Sequence, residues 1–317
     1  MTSAVAELAN ALQATPVRSS GLVRLSLEEL AELEIPERPT ILGPVLRGQD
    51  LVMVHGPRGV GKTYFVTSLA IAAAGGGSVF GWKAPLRTRV LFVDGELPVR
   101  VLRDRLSFAV VATGADPGGH LDVVPYELQP AGFESLATLP GQRALEQHLN
   151  GVGLLVIDSI STLCRGGEEN SAESWENIQA WLLSLRRRGL AVILVHHSGK
   201  SGQQRGTSKR EDVLDLVLGL KHPPDYVASQ GCRMRCTFEK ARGLFGADVD
   251  PLEIALDTDP AGRPVWTHTT VAAAVEDQVV ALALEGLTGT EIAQEVGRHK
   301  SSVSRMLKAA RVAGRLG

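Results

Sequence analysis

Gly56-Pro57-Arg58-Gly59-Val60-Gly61-Lys62-Thr63 fits the pattern G-x-x-x-x-G-K-[ST] at every required position. An apolar run, Leu51–His55, precedes it, and a helical stretch, Thr63–Ala74, follows it. Glycines at these places let the backbone curl, so that successive N–H groups point inward at phosphate oxygens. The helix that follows adds the positive end of its dipole. Gly56 to Thr63 therefore read as a cradle for the phosphates of a nucleotide. Lys62 is expected across the β- and γ-phosphates and the Thr63 hydroxyl on Mg²⁺. A glycine loop that only turned a strand into a helix would be the plain alternative.

Outward from this loop, the chain alternates short apolar runs with amphipathic stretches. Val90–Asp94, Leu121–Val124, Leu154–Asp158 and Ala191–His196 are rich in Val, Ile and Leu without strict alternation, as strands buried on both faces are. Val99–Thr113 and Ser174–Arg187 have helical spacing. This order implies an α/β fold, an open and mostly parallel sheet flanked by helices. Cys232–Phe238 reads as a further strand, and the pattern turns helical after Val271. Three regions follow: a leader with a short helix (1–40), a core (41–270) and a small all-helical unit (271–317). Leu154-Leu-Val-Ile-Asp158 ends in a carboxylate at the lip of a buried strand, where ligands collect in such sheets. Asp158 is expected to hold Mg²⁺ through water.

Val90-Leu-Phe-Val-Asp-Gly-Glu96 is the next strand after the loop helix, and its lip presents Glu96. Ser159, not a glutamate, follows Asp158, so Glu96 is the better carboxylate to polarise an attacking water. In this the chain resembles the RecA-like ATPases, and among them the plasmid RepA-type hexameric helicases and their DnaB-like relatives. The likeness runs from about Ile41 to Gly246. Asp94-Gly-Glu96-Leu-Pro98 is similar to that group's Asp-Gly-Glu-Met-Pro, and Val195-His-His-Ser-Gly-Lys200 to its His-His-x-Ser-Lys. The resemblance implies an ATPase with ATP and Mg²⁺ as cofactors, a homo-oligomer such as a hexameric ring, and DNA as a partner. It implies His197 as a sensor of the γ-phosphate, although a His pair at a strand end can also be structural.

Phe238-Glu-Lys240-Ala-Arg242-Gly243 resembles the Lys-x-Arg that such motors insert into a neighbour's nucleotide. A charged strand end would look the same, the residues after Arg242 match poorly, and Arg205 is the second candidate for that role. Gly199–Ser208 resembles in position the loops that face DNA, and equally suits a polar surface loop. Cys164 lies too far in sequence from the Cys232, Cys236 pair for a zinc site, and that pair reads as ordinary same-face strand residues.

The last segment reads as a helix (Val275–Leu284), a second helix with a tight turn at Gly297 (Thr288–Gly297) and a third helix (His299–Ala310), with Val303, Met306 and Leu307 on one face. It resembles a helix-turn-helix whose third helix reads DNA. Six basic residues (Arg298, Lys300, Arg305, Lys308, Arg311, Arg315) and no acidic ones lie between Gly297 and Gly317. Arg298, Lys300, Ser301, Ser302, Arg305 and Lys308 are the candidate DNA contacts, and a protein-docking bundle is the alternative.

Composition sets the outer bounds. Hydrophobic residues make up 44% and charged residues 21% of the 317, which excludes wholesale disorder. The net charge of -2 means that DNA contact depends on a local patch. Seven Phe, three Tyr and four Trp speak against a single-strand binder built on stacking. Three cysteines fit a reducing compartment, and the absence of an export signal or a membrane-length apolar run implies a cytoplasmic protein with no membrane partner. Three functions remain: a replicative helicase or translocase of a mobile element, an ATP-switched DNA-binding regulator or accessory factor without unwinding, and a small-molecule kinase.

Overall fold

The strands form two short hairpins and one large sheet among the residues that the computed structural model describes, 22–164, 172–197 and 212–316. In chain order, α1 (Leu27–Ala31) leads into the hairpin β1 (Thr40–Leu42) and β2 (Leu46–Arg47). Then come β3 (Leu51–Gly56), α2 (Lys62–Gly75), the hairpin β4 (Ser78–Val79) and β5 (Trp82–Lys83), β6 (Val90–Asp94), α3 (Val99–Thr113) and β7 (Leu121–Pro125). After α4 (Leu139–Glu146) follow β8 (Leu154–Asp158), α5 (Ile160–Leu163), α6 (Ala172–Arg187), β9 (Ala191–His197) and β10 (Leu216–Lys221). Strands β11 (Arg233–Ala241), β12 (Leu252–Thr258) and β13 (Pro264–Thr270) precede the final helices α7 (Val271–Leu284), α8 (Gly289–Glu295) and α9 (Lys300–Val312).

The large sheet has nine strands in the order β13-β12-β11-β10-β3-β9-β8-β6-β7. From β10 to β7 every neighbour is parallel, and β11, β12 and β13 extend the sheet antiparallel. All residues of β3, β6 and β8 are buried, as the unbroken apolar runs require. β7 is only half-buried because it is the edge.

Alternate residues of the central strands feed two cores. Val52, Val54, Phe92 and Ile193 pack with α2, while Leu51, Met53, Val93 and Leu194 pack with Trp175, Trp181 and Leu182 of α6. Helix α2 is apolar all round because it is enclosed: every residue from Phe65 to Ala74 is buried. The antiparallel strands help to enclose it. Trp266 of β13 donates to the Ser68 Oγ at 2.9 Å, and its ring packs edge-on against Phe80, which stacks on Phe65.

β10, β12 and β13 are not evident in the sequence. β10 is interrupted by Gly219, and β12 and β13 are partly exposed strands in which apolar and polar residues mix. α1 has the capping box that Ser26 and Glu29 imply, each side chain bonded to the other's backbone N–H (3.1 and 2.7 Å), yet it buries no residue. The leader before residue 22 lies outside the described residues. Helices α7, α8 and α9 share a core of Val275, Val279, Ile292, Ala293 and Val303, with Met306 and Leu307 against it.

Candidate nucleotide site

Strand β3 ends at Gly56, and the loop to Gly61 returns the chain into α2. Its backbone needs glycine at Gly61, where φ is +105° and a Cβ would lie 2.6 Å from the Cys232 Sγ and 2.7 Å from the Met234 Cε. Val60 plugs into the core, and Arg58 and Gly59 are exposed. The Lys62 Nζ donates to the carbonyls of Gly56 and Pro57, both at 2.9 Å. Burial lowers its pKa to about 8, against the pull of Asp158 and Glu96 upward.

Parallel pairing brings the carboxylates to the same lip. Asp94 of β6 lies in register with Asp158 of β8. Burial raises the Asp158 carboxyl to about 6; a hydrogen bond from Thr63 opposes this, and Asp94 and Glu96 add to it. The Asp94 Oδ1 accepts from the backbone N–H groups of Glu96 (3.2 Å) and Leu97 (2.8 Å), a turn that fixes where Glu96 stands. Burial nevertheless holds the Asp94 pKa above its ordinary value. The second oxygens of both aspartates, Asp94 Oδ2 and Asp158 Oδ2, are buried without a hydrogen-bond partner among the described residues.

Glu96 is held differently. Its Oε1 accepts from the Ser159 Oγ at 2.5 Å and lies 2.9 Å from the His197 Nε2. The His197 bond, the largest influence, brings the Glu96 pKa down to about 2 against the effect of burial, with Ser159 contributing in the same direction. His197 pairs in register with Gly56, so the end of β9 stands directly beside the loop.

The lip thus joins Gly56–Thr63, Glu96, Asp158 and His197, to which the structure adds two residues that sequence reasoning passed over. Ser159 is fully buried and bonded to Glu96. Asp94 has no exposed surface and anchors the Glu96 turn. Asp94 shares with Asp158 the signal of a carboxylate closing a buried apolar run.

Lys240 and Arg242 are not at this lip. β11 runs antiparallel, and Ala241 pairs with Leu216, which pairs with Val52 near the start of β3. The two cations therefore stand at the opposite end of the strands from their own chain's loop. Arg242 donates to the Asp212 carbonyl at 2.7 Å and approaches the Asp215 Oδ1 at 3.9 Å, with 53% of its side chain exposed. Lys240 reaches the same carbonyl at 3.5 Å. Arg205 and Gly199–Ser208 lie outside the described residues.

In the C-terminal unit, Arg298, Lys300, Ser301, Arg305 and Lys308 are exposed and Ser302 is half-buried. His299 caps α9 and bonds Ser301. Arg315 donates to Asp277 at 2.5 Å, which removes one cation from the basic group. The described residues hold no cluster of three His, Cys, Asp or Glu suited to a metal, and no helix among them is long and apolar enough to cross a membrane.

A phosphate loop leading into a buried helix, with carboxylates from two neighbouring strands at the lip of a mostly parallel sheet, defines a RecA-like P-loop ATPase. Residues 16–203, more than half of the chain, match the AAA_25 family model, described as an AAA domain, and the chain belongs to that family. The DNA repair protein RadA of Brucella abortus (strain 2308) is 27% identical over 180 residues. That match takes in 56% of this chain and spans 34% of the length of that relative. Among solved structures, a KaiC-like protein from Pyrococcus horikoshii OT3 aligns with a TM-score of 0.49 and 19% identity, over 72% of this chain and 93% of that one. The flagellar accessory protein FlaH from Methanocaldococcus jannaschii aligns with a TM-score of 0.48 and 12% identity over the same shares, 72% and 93%.

Proposed function

We propose that the protein hydrolyses ATP with Glu96 as the base and couples this to DNA, as a RepA-type replicative helicase or translocase. The observation that carries the hydrolytic reading is the Glu96 carboxylate, fixed beside the phosphate loop by His197 and Ser159. The loop N–H groups and Lys62 bind the phosphates. Thr63 and Asp158 are the residues that would hold Mg²⁺, and the unpartnered Asp158 Oδ2 beside the Thr63 hydroxyl fits a hard cation with oxygen ligands. A bound Mg²⁺ would neutralise charge on the phosphate oxygens.

Glu96 with a pKa of about 2 is a poor proton acceptor while His197 is bonded to it. A γ-phosphate that draws the imidazole away removes the largest cause of that depression and makes the carboxylate more basic. His197 then acts as sensor and restraint together. The position of Lys240 and Arg242, at the end of the sheet away from their own loop, supports action on a neighbouring subunit and hence a ring.

The DNA reading rests on the C-terminal helices, with Arg298, Lys300, Arg305 and Lys308 exposed, and on the printed name of the RadA relative. Ser301, Ser302 and Arg305, early on α9, are the proposed base-edge contacts. Deleting residues 271–317 should remove most duplex affinity and its steep salt dependence while sparing basal ATPase. Equal affinity and salt slope after truncation would assign these helices to a partner protein. A second reading, an ATP-switched DNA-binding regulator, follows from the same helices. A strand-displacement assay run beside DNA-stimulated ATPase separates it from a helicase, and phosphate release without a phosphorylated small molecule sets aside a kinase.

A further inference from the structure

One polar pair, half-buried, belongs to none of this machinery. His55, the last side chain of β3 before the phosphate loop, is 2% exposed. Its Nε2 lies 2.9 Å from the Oε2 of Glu239, which is two strands away on β11. Two local devices make that reach possible. The register between β10 and β11 shifts between Val217 and Leu218, which pair with Lys240 and Phe238, so Glu239 is the extra residue of a bulge. Bulges of this kind re-aim a side chain. The strand in between offers Gly219 in register with His55, and a Cβ there would sit 2.2 Å from the Glu239 Oε1. Glu239 passes over β10 only because position 219 has no side chain.

Both ends of this link matter. His55 adjoins Gly56, whose carbonyl accepts from Lys62. Glu239 adjoins Lys240 on the strand that ends in the Lys240–Arg242 pair. A polar bond to a buried imidazole is screened less than a surface pair, so a change at Glu239 is felt at His55. We infer that Glu239 is a positioning residue that, through His55, couples the Lys240–Arg242 strand to the root of the phosphate loop. This rests on the reading that those two cations act on a neighbouring subunit. Under it, a subunit whose cations engage the next nucleotide shifts its own loop, and sites around the assembly communicate.

The test is the Hill coefficient of ATP hydrolysis by the full-length assembled protein, measured with Glu239→Gln, Gly219→Ala and the double variant. Glu239→Gln keeps the shape and weakens the bond; Gly219→Ala keeps both partners and pushes the carboxylate aside. The wild type should be cooperative. Each single variant should bring the coefficient toward 1 and change the half-saturating ATP concentration by about fivefold or more. The double variant should be no worse than either single one, since both act on one bond. Unchanged cooperativity in Glu239→Gln, or a non-cooperative wild-type assembly, overturns the inference and leaves the shared site standing. If Arg242→Ala and Lys62→Ala subunits recover no activity when mixed in a confirmed assembly, the shared site and the inference fall together.

Discussion

At the lip of the sheet Asp94 and Asp158 are almost wholly buried, each with an oxygen that has no partner among the described residues. At the opposite end of the same strands Arg242 keeps 53% of its side chain exposed and bonds to Asp212 and Asp215. An unpartnered buried oxygen costs about 1–3 kcal/mol, so the lip is held at the expense of stability. The far end carries no such cost at Arg242, whose guanidinium stays largely hydrated. The contrast separates a buried carboxylate pair enclosed by its own fold from a cation that the fold leaves at the surface.

The sharpest test of this contrast is Arg242→Ala. If the far end serves a neighbour, turnover of the assembled protein should fall by about 10³-fold or more. Mixing with Lys62→Ala subunits should restore part of it. A loss below threefold, with lowered thermal stability, would make Arg242 only an anchor for Asp215.

Glu96→Gln should lower turnover by about 10²–10⁴-fold and leave ATP binding largely intact, because the shape is kept and the proton acceptor is lost. Asp158→Asn should weaken Mg²⁺ dependence as well. A Glu96→Gln rate within a few-fold of the wild type would move the base elsewhere.

Asp94→Asn should raise stability by about 1–2 kcal/mol, since it removes a buried carboxylate beside Asp158. Turnover should fall far less than in Asp94→Ala, because the asparagine Oδ1 still accepts from the Glu96 and Leu97 N–H groups that set the turn. Thermal unfolding beside steady-state kinetics reads both, and a destabilised variant would mean that the Asp94 charge is compensated in the fold.

The smallest effect is on pH and stability. The folded pKa of Glu96, about 2, lies below its ordinary 4.5. Its contribution is therefore complete above about pH 4.5 and is lost as the pH falls through about 2. Exposure reduces it to about 1–3 kcal/mol. The stability difference between the wild type and Glu96→Gln should shrink over that window. A difference that is flat from pH 5 to 3 would show that His197 and Ser159 do not stabilise the charge.

The parallel half of the fold was legible because each strand announces itself locally. Leu51–His55, Val90–Asp94 and Leu154–Asp158 are unbroken apolar runs, and the glycine-lysine loop gives the first of them its direction. The antiparallel extension was not, since Gly219 interrupts β10 and the side chains of β12 and β13 are divided between core and solvent. In the site, the loop, Glu96, Asp158 and His197 could be named from their own motifs. Asp94 and Ser159 could not be ranked, because their roles arise from the pairing of β6 with β8, which brings together residues more than sixty positions apart. Glu239 depends on a bulge and on a glycine two strands away, which no local pattern predicts.

The bond from Trp266 to Ser68 ties an indole to the helix that begins at Lys62. Any tilt of that helix on nucleotide binding should alter the polarity felt by Trp266 and by Trp82, which shares Phe80 with it and meets Phe65 edge-on. The other two tryptophans, Trp175 and Trp181, lie in the core on the opposite face of the sheet. The molecule therefore carries an intrinsic optical probe: tryptophan emission on titration with ATP should report the loop directly, with no label attached, and a Trp266→Phe variant should silence most of the change.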